Sequence, residues 1–267
     1  MLWPHWGMPS TRHIHGRERN STMAHPRHLS RAPITEALID FRVKARDGFQ
    51  PAEFMRLKDS LGPRFPKVQE RRGLKATILP QQERAELTNL GLHGLFFQSE
   101  DDKTVAQFRI DGFTLNRLRP YTSWDELLPV VMELWNNYCD VAQPEYVARL
   151  ALRYLNRIEL PATTVDFGHY ITKAPELPPE VPPRIRRFVS RVTVEDENTG
   201  LSAHMGQTLE QDADSRIFAL LLDVDAFREE RFDPSDPRIR DVLGALRDLK
   251  NTIFFSLITE ETAGMFE

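Results

Sequence analysis

The segment from Glu145 to Pro161, EYVARLALRYLNRIELP, alternates strictly between two kinds of side chain. A period of two over this length predicts one long β-strand with a buried face and a charged face. The face expected to be buried holds Ala148, Leu150, Leu152, Tyr154, Asn156, Ile158 and Leu160. The opposite face holds Arg149, Ala151, Arg153, Leu155, Arg157 and Glu159. Because segments of similar make-up flank it, we interpret this strand as the centre of a two-lobed protein.

The length and the amino-acid composition are those of an ordinary globular protein. Of 267 residues, 40% are apolar and 28% charged, and this length can bury a substantial core. No apolar run approaches the ~18 residues of a membrane span, and no compact hydrophobic segment suggests a secretory signal. Cys139 is the only cysteine, which excludes an internal disulfide and a cysteine-based zinc site. We therefore expect a cytoplasmic protein with no membrane partner.

The first 31 residues differ from the rest. They hold five of the eight histidines and five arginines, with almost no periodic apolar pattern. This composition predicts that residues 1–31 are a disordered leader, or lie upstream of a true start at Met23, with order beginning at Pro33. The alternative is a metal-binding or anion-binding tail that uses His13 and His15. Removing this +4 segment from the net charge of −4 leaves −8, which argues against bulk electrostatic binding of nucleic acid but leaves a local basic groove open.

The N-terminal half, residues 32–143, reads as a strand, a short helix, several strands and a long helix. In the first strand, one face holds Ala37, Ile39, Phe41 and Val43, and the other holds Glu36, Leu38, Asp40 and Arg42. A helix is predicted from Pro51 to Gly62. The predicted strands are LKATIL, the region of Glu86–Thr88, GLFFQS and TVAQFRIDGFTLNRL, with a turn at Asp101-Asp102.

The long helix of this half should begin at the capping box Ser123–Glu126. Pro129 favours a later start, because proline within a helix removes a backbone donor. The predicted apolar stripe is Leu128, Val131, Trp135 and Cys139. On this stripe Cys139 reads as a small core residue rather than a nucleophile.

The C-terminal half, residues 144–267, repeats this order loosely. Its predicted strands are the central one followed by Arg187–Glu195, Leu201–Leu209 and Arg216–Val224, with a turn at Asn198–Gly200. Asp236 and Pro237 should begin the last long helix, and Thr259 should cap a final turn. We predict an α+β fold of two similar lobes of antiparallel sheet, each with a long amphipathic helix packed on one face. Structural duplication is the corresponding hypothesis, although the repeat is visible in element order only.

Four segments carry a family resemblance: PITEALIDFRV, FTLNRLRPYTSWDEL, RLALRYLNRIELP and KNTIFFSLITEE. They are similar to a sporadically distributed family of uncharacterised prokaryotic proteins. The resemblance covers about residues 32–266, and its most specific part is the run from Arg149 through Arg153 to Ile158, followed by Pro161. The resemblance implies a fold and a class of protein, but no particular reaction, cofactor or partner.

Familiar catalytic motifs are missing from the sequence. There is no GxxxxGK[ST] phosphate loop, no GxGxxG after a strand, no HExxH and no GxSxG. These absences argue against the common NTPases, dinucleotide-binding enzymes, zinc proteases and α/β-hydrolases. We predict no catalytic residue, metal or cofactor from the sequence.

The arginine-lined strand face is the main candidate site. Arg149, Arg153 and Arg157 occupy alternate positions, and Asp40 and Arg42 join them if the first strand pairs beside the central one. One interpretation is a solvated face of ion pairs, each worth about 0–1 kcal/mol. The other is a surface of arginine forks for an anionic ligand such as a nucleotide, a phosphate or an acidic peptide.

Other candidates are weaker. Asp223 and Asp225 share a strand face and offer hard oxygen donors to a divalent cation, although such a pair is more often a strand-end feature. Tyr121 and Trp124, beside Arg117 and Arg119, resemble a stacking platform for single-stranded nucleic acid, but a packing role is favoured. Three further histidines lack an evident partner in sequence: His93, His169 and His204.

The favoured function is a non-enzymatic binding or interaction protein whose partner is a small anion or another protein. The first alternative is an enzyme of unrecognised type acting on a phosphorylated or nucleotide substrate, with Asp223 or Asp40 as acid or base. The second alternative is an accessory protein that binds nucleic acid through the arginine face and the basic leader.

Overall fold

The computed structural model describes residues 22–79, 84–161, 163, 166–182, 184–211 and 217–267. The strands are β1 (Ile34–Lys44), β2 (Lys67–Leu79), β3 (Arg84–Gln98), β4 (Thr104–Arg109), β5 (Gly112–Leu118), β6 (Tyr146–Pro161), β7 (Phe188–Asp196), β8 (Leu201–Gln211) and β9 (Ile217–Phe232). They form one antiparallel sheet in the order β2-β3-β4-β5-β1-β6-β9-β8-β7. The predicted α+β class with an antiparallel sheet is confirmed, and the strands of both halves belong to that single sheet.

The long helices follow the strands of each half, and a short helical segment follows β1. The helices are α1 (Lys58–Leu61), which continues a 3₁₀ helix at Pro51–Leu57, then α2 (Trp124–Ala142), α3 (Arg238–Leu257) and α4 (Glu260–Gly264). A further 3₁₀ turn lies at Phe167–His169. Within the described ranges, no helix has the length and apolar character needed to cross a membrane.

The pairing of β1 with β6 lies at the centre of the sheet and joins the two halves. Ile39 lies opposite Leu152, and Phe41 lies opposite Leu150. All four of these side chains are fully buried. On this face Trp135 of α2 stacks on Phe41, with ring centroids 4.3 Å apart. The period of two in the sequence therefore separates a helix-covered face from a polar face, as predicted.

The alternation of the central strand breaks near its start. Register shifts lie between Val147 and Arg149 in the pairing with β9 and between Arg42 and Val43 in the pairing with β1. Val147 is fully buried and Ala148 is not, so the prediction that Ala148 belongs to the buried face is wrong. A β-bulge inserts one residue and so shifts the alternation.

Helix α2 starts where its capping box predicts. The Ser123 hydroxyl accepts a hydrogen bond from the backbone N–H of Glu126, and Pro129 lies inside the helix, so the later start that we considered is wrong. The buried stripe is Trp124, Leu127, Val131, Leu134, Trp135, Tyr138 and Ala142. Cys139 is partly buried, and burial raises the pKa of its thiol to about 12. A thiol held protonated in this way suits packing rather than nucleophilic attack.

Several predicted strands differ from the structure: the region of Glu86–Thr88 and most of the segment GLFFQS belong to one strand, β3, and β2 begins at Lys67, before LKATIL. The segment predicted as one long strand, TVAQFRIDGFTLNRL, forms the hairpin of β4 and β5, in which Arg109 pairs with Gly112 across a two-residue turn. Asp111-Gly112 is the turn signal that this prediction overlooked. Strand β9 runs to Phe232, well past the predicted end at Val224. Its predicted first residue, Arg216, lies outside the described residues.

The chain packs against the fold before Pro33, where we expected order to begin. Met23 forms a β-bridge with Thr259. Ala24 and Leu29 are buried in a cluster with residues of β6, β9 and α3. The proposed tail residues His13 and His15 lie outside the described residues.

Substitution of Gly112 by alanine tests the close approach of β5 to β1. A Cβ built there would lie 2.0 Å from the backbone oxygen of Phe41, so Gly112→Ala must displace one of the two strands. We expect it to lower the free energy of unfolding by about 1–3 kcal/mol, measured by chemical denaturation.

Gly244→Ala in α3 is the matched control. A Cβ there meets nothing within 4 Å, and alanine favours the helix by roughly 0.5–1 kcal/mol. Equal destabilisation by the two substitutions would contradict the assigned contact of β5 with β1.

Candidate functional site

The polar face of the sheet has a buried acidic residue at its centre. Asp40 is 9% exposed and accepts hydrogen bonds from Arg109 Nη2 at 2.9 Å and from Thr114 Oγ1 at 2.5 Å. Arg109 also donates to Thr114, and its Nε lies 3.1 Å from Asp111 Oδ1. Because a buried carboxylate is costly without partners, this network ties the side chain of Asp40 on β1 to residues of β4 and β5.

Arg149 joins this network from the other side. Its Nη1 lies 4.0 Å from Asp40 Oδ2, and its Nη2 donates to Asp225 Oδ2 at 2.9 Å. Its guanidinium also lies over the ring of Phe227, 4.4 Å from the centroid. Arg149 and Asp40 therefore come together as predicted, but with Asp225 as the closest partner of the arginine.

The other three predicted ligand-binding residues lie apart from this cluster. Arg153 donates two hydrogen bonds to Asp223, at 2.8 and 2.5 Å. The Nε of Arg157 lies 3.3 Å from Glu159 Oε1 on the same strand. Arg42 is exposed and forms no ion pair within the described part of the chain. The face is thus largely neutralised by its own side chains, which favours the ion-pair interpretation.

The two aspartates proposed as metal ligands are the partners of the arginines. Asp225 bonds Arg149, and Asp223 bonds Arg153. Among the described residues, no group of three or more histidine, cysteine, aspartate or glutamate side chains is arranged to hold a metal ion.

The three histidines occupy separate places. His93 Nε2 lies 3.1 Å from Asp111 Oδ1. His204 Nδ1 lies 2.9 Å from Thr193 Oγ1, and its ring contacts Phe227. His169 lies 3.6 Å from Asp166 and 3.7 Å from Glu261. Each histidine therefore has a polar neighbour that the sequence did not reveal.

A cavity of about 510 Å³ lies on the opposite face of the sheet, against α3. Its walls come from the start of α2, the middle of α3, the ends of β1 and β6, and the segment 26–34. Four of its lining side chains are basic: Arg27, His28, Arg247 and Lys250. Only one is acidic, Asp125. The cavity therefore has an excess of positive charge.

Lys250 is the unusual residue of this cavity. It is 8% exposed, and its Nζ lies 3.9 Å from the centroid of the Tyr154 ring and 2.6 Å from Asn251 Oδ1. It forms no ion pair within the described residues. Burial, and then the positive charge of Arg247, lower the pKa of Lys250 from 10.5 to about 7. A buried amine without a carboxylate is rare in structural positions and typical of functional ones.

Aromatic side chains surround the amine. The Tyr154 hydroxyl donates to the Tyr121 hydroxyl at 2.9 Å, and the two rings meet edge to face. Burial raises the pKa of Tyr154 well above its usual value, so both hydroxyls stay protonated near neutral pH. The guanidinium of Arg247 lies 5.7 Å from the centroid of Trp124 and forms no ion pair in the described ranges. The cavity thus combines two unpaired cations with flat apolar walls.

The outer wall of the cavity is the N-terminal segment, which the C-terminus holds in place. Arg27 Nε donates to Glu267 Oε1 at 2.7 Å, and its Nη1 lies 2.9 Å from Glu260 Oε2. Arg31 Nη2 donates to the backbone oxygen of Glu267 at 2.9 Å. Because these bonds occupy Arg27, the free positive charges of the cavity are those of Lys250 and Arg247.

This cavity was not predicted from the sequence, although one signal was present. Lys250 falls four residues after Leu246 and four before Phe254, within the apolar stripe of α3. Residues four apart share a helix face. A lysine at this position therefore predicts either that its amine is buried or that the apolar stripe is interrupted where the lysine reaches solvent. Tyr121 and Trp124, proposed as a stacking platform, do meet at this site.

No protein-family model matches this sequence, and no curated protein matches it significantly. The resemblance to a prokaryotic family stays a prediction. The functional interpretation therefore rests on the geometry of the two sites.

Substitution of Arg153 tests the ion-pair interpretation of the polar face. Arg153 and Asp223 have side chains 41% and 38% exposed, and an exposed pair contributes little. We expect Arg153→Ala to lower the free energy of unfolding by about 0–1 kcal/mol. Arg149→Ala should cost more, about 3 kcal/mol, because it leaves buried Asp40 and partly buried Asp225 short of a cation. Chemical denaturation compares them, and equal losses would contradict the difference in burial.

Lys250 predicts a pH dependence of stability. Since its pKa is about 7 in the folded protein and 10.5 in the unfolded chain, the unfolded chain binds more protons between these values. The free energy of unfolding should therefore rise with pH across this window, by a few kcal/mol in order of magnitude. Lys250→Met should be more stable than the wild type at pH 6 and lose this rise. Urea denaturation at several pH values measures it, and parallel pH profiles of the two proteins would show that folding does not lower the pKa of Lys250.

Proposed function

We propose that this protein binds a small organic anion, with a phosphate or carboxylate on a flat ring, in the cavity beside Lys250. The observation that carries the proposal is the presence in one aromatic-walled cavity of two basic side chains, Lys250 and Arg247, that have no acidic partner among the described residues. The proposed ligand is an anion, as expected from the sequence, but the proposed site lies on the opposite face of the sheet from the arginine-lined face.

Charge balance supports an anionic ligand. A buried cation is costly unless it is paired, and Lys250 has only an amide oxygen and an aromatic ring as partners. A phosphate or carboxylate would supply the missing charge and would accept charge-assisted hydrogen bonds from the amine and the guanidinium. By contrast, Arg149 and Arg153 of the polar face already donate hydrogen bonds to aspartates.

The size and walls of the cavity support a ligand with a ring. A volume of about 510 Å³ lies within the range of small-molecule sites, roughly 300–1,000 Å³. Tyr121, Trp124 and Phe254 offer aromatic surface, against which a flat ring packs well. The side chains of Asn156 and Asn251 offer further polar groups for orientation.

Binding without catalysis is the function favoured here, in line with the missing catalytic motifs. The cavity holds one acidic side chain at its border, Asp125, and no pair of acid and base. A cytoplasmic location and descent from a structural duplication remain part of this proposal. The shared order of a first strand, a run of antiparallel strands and a long helix in each half supports the duplication.

Calorimetric titration tests the proposal. Adenosine monophosphate, indole-3-acetate and inorganic phosphate would be titrated into the protein at pH 8, in two buffers of different ionisation enthalpy. At this pH Lys250 is mostly neutral, so binding of an anion should raise its pKa and take up a proton from the buffer. Lys250→Met should weaken binding at least about tenfold, the equivalent of 1.4 kcal/mol.

Two control variants locate the site. Arg42→Met removes an exposed charge from the polar face and should bind like the wild type. Arg153→Ala separates the two candidate sites, since loss of binding in that variant alone would place the ligand on the arginine-lined face. Failure of all three probes to bind at millimolar concentration would reject this class of ligand.

A further inference from the structure

Strand β7 forms one edge of the sheet, and its outer side is unpaired in the described part of the chain. Eight of its nine residues are exposed. Three are valines, with Val189 71%, Val192 46% and Val194 36% exposed. An exposed edge strand presents free backbone N–H and C=O groups and is a template for another strand. Apolar side chains at this edge make burial by a partner favourable.

The charges of β7 are separated along the strand. Arg191 lies in its first half, and Glu195 and Asp196 end it. Neither Arg191 nor Glu195 forms an ion pair within the described residues. Proteins commonly block a free edge with charges, especially lysines, which repel a second copy. A strand with a basic first half and an acidic end is instead complementary to its own antiparallel copy.

We infer that β7 pairs with β7 of a second copy of this chain, antiparallel and with Thr193 opposite Thr193. In this register Val192 of each copy lies opposite Val194 of the other, and Arg191 lies opposite Glu195. This pairing has a two-fold axis at Thr193, so each of these pairs occurs twice. A shift of the axis to Arg191 would place the two arginines opposite each other, which is unfavourable.

The neighbouring strand is consistent with this register. Arg191, Thr193 and Glu195 lie opposite Gly206, His204 and Ser202 of β8 and share the polar face of the sheet. Val192 and Val194 lie opposite Met205 and Ala203 on the face that the helices cover elsewhere, whereas Val189 lies opposite Thr208 on the polar face. Pairing would therefore extend both faces, giving one continuous sheet across the dimer with main-chain hydrogen bonds between the copies.

Exchange of charges tests both the dimer and its register. Sedimentation equilibrium of the wild type should show a monomer–dimer equilibrium. Arg191→Glu should weaken the dimer at least about tenfold, because it replaces two attractive pairs with two repulsive ones. Glu195→Arg should do the same. An equimolar mixture of these two variants should recover the affinity of the wild type, because each altered side chain then faces an opposite charge.

The outcomes separate the proposal from its alternatives. Arg42→Glu, a charge change far from β7, should leave the dimer unchanged, and circular dichroism confirms that every variant is folded. A wild type that stays monomeric up to millimolar concentration overturns the proposal. A dimer that resists both single substitutions, or a mixture that fails to recover, shows that the copies meet elsewhere or in another register.

Discussion

The antiparallel pairing of β1 with β6 is the interaction on which the rest of the structure depends. It joins strands from the two halves of the chain, and its register aligns the apolar residues of both on one face. Because the side chains of a strand alternate, the same register must also align the charged residues on the other face. The helix-covered core and the network around Asp40 are therefore two results of one pairing.

Charge is buried in two places, and the chemistry of the two differs. Around Asp40 each charged group has an opposite partner, so the network is complete and holds four strands together. Beside Lys250 the charge has no counterpart. A complete network stabilises the fold and leaves few donors free, whereas an unpaired amine retains a capacity to bind. A charged side chain thus indicates a binding site when it lacks a partner and a stabilising role when it has one. The number of arginines on a face does not decide between these roles.

The fold was more predictable from the sequence than the site. Alternation in β1 and β6 is a local property of the chain, and so are the Ser123 cap and the turn at Gly200; all of these were predicted correctly. The bulge near Val147 and the length of β9 depend on neighbouring strands, which the sequence does not display. The partners of Arg149 and Arg153 come from β9, 76 and 70 residues away, so the sequence offered the neutralisation of these arginines only as a hypothesis. Lys250 was overlooked because an apolar stripe with one lysine looks like an imperfect stripe until the helix is packed.

The two ends of the described chain meet at the cavity wall. Residues 24–31 are bound to residues 258–267 by backbone and side-chain hydrogen bonds, and this pair of segments lies outside the nine-stranded sheet. One wall of the cavity beside Lys250, residues 26–34, is consequently held in place by residues 258–267 rather than by pairing within the sheet. Changes in residues 258–267 would therefore alter access to the amine, and they would also lower the stability of the fold, because Ile258 and Ala263 are buried in the same cluster as Ala24 and Leu29.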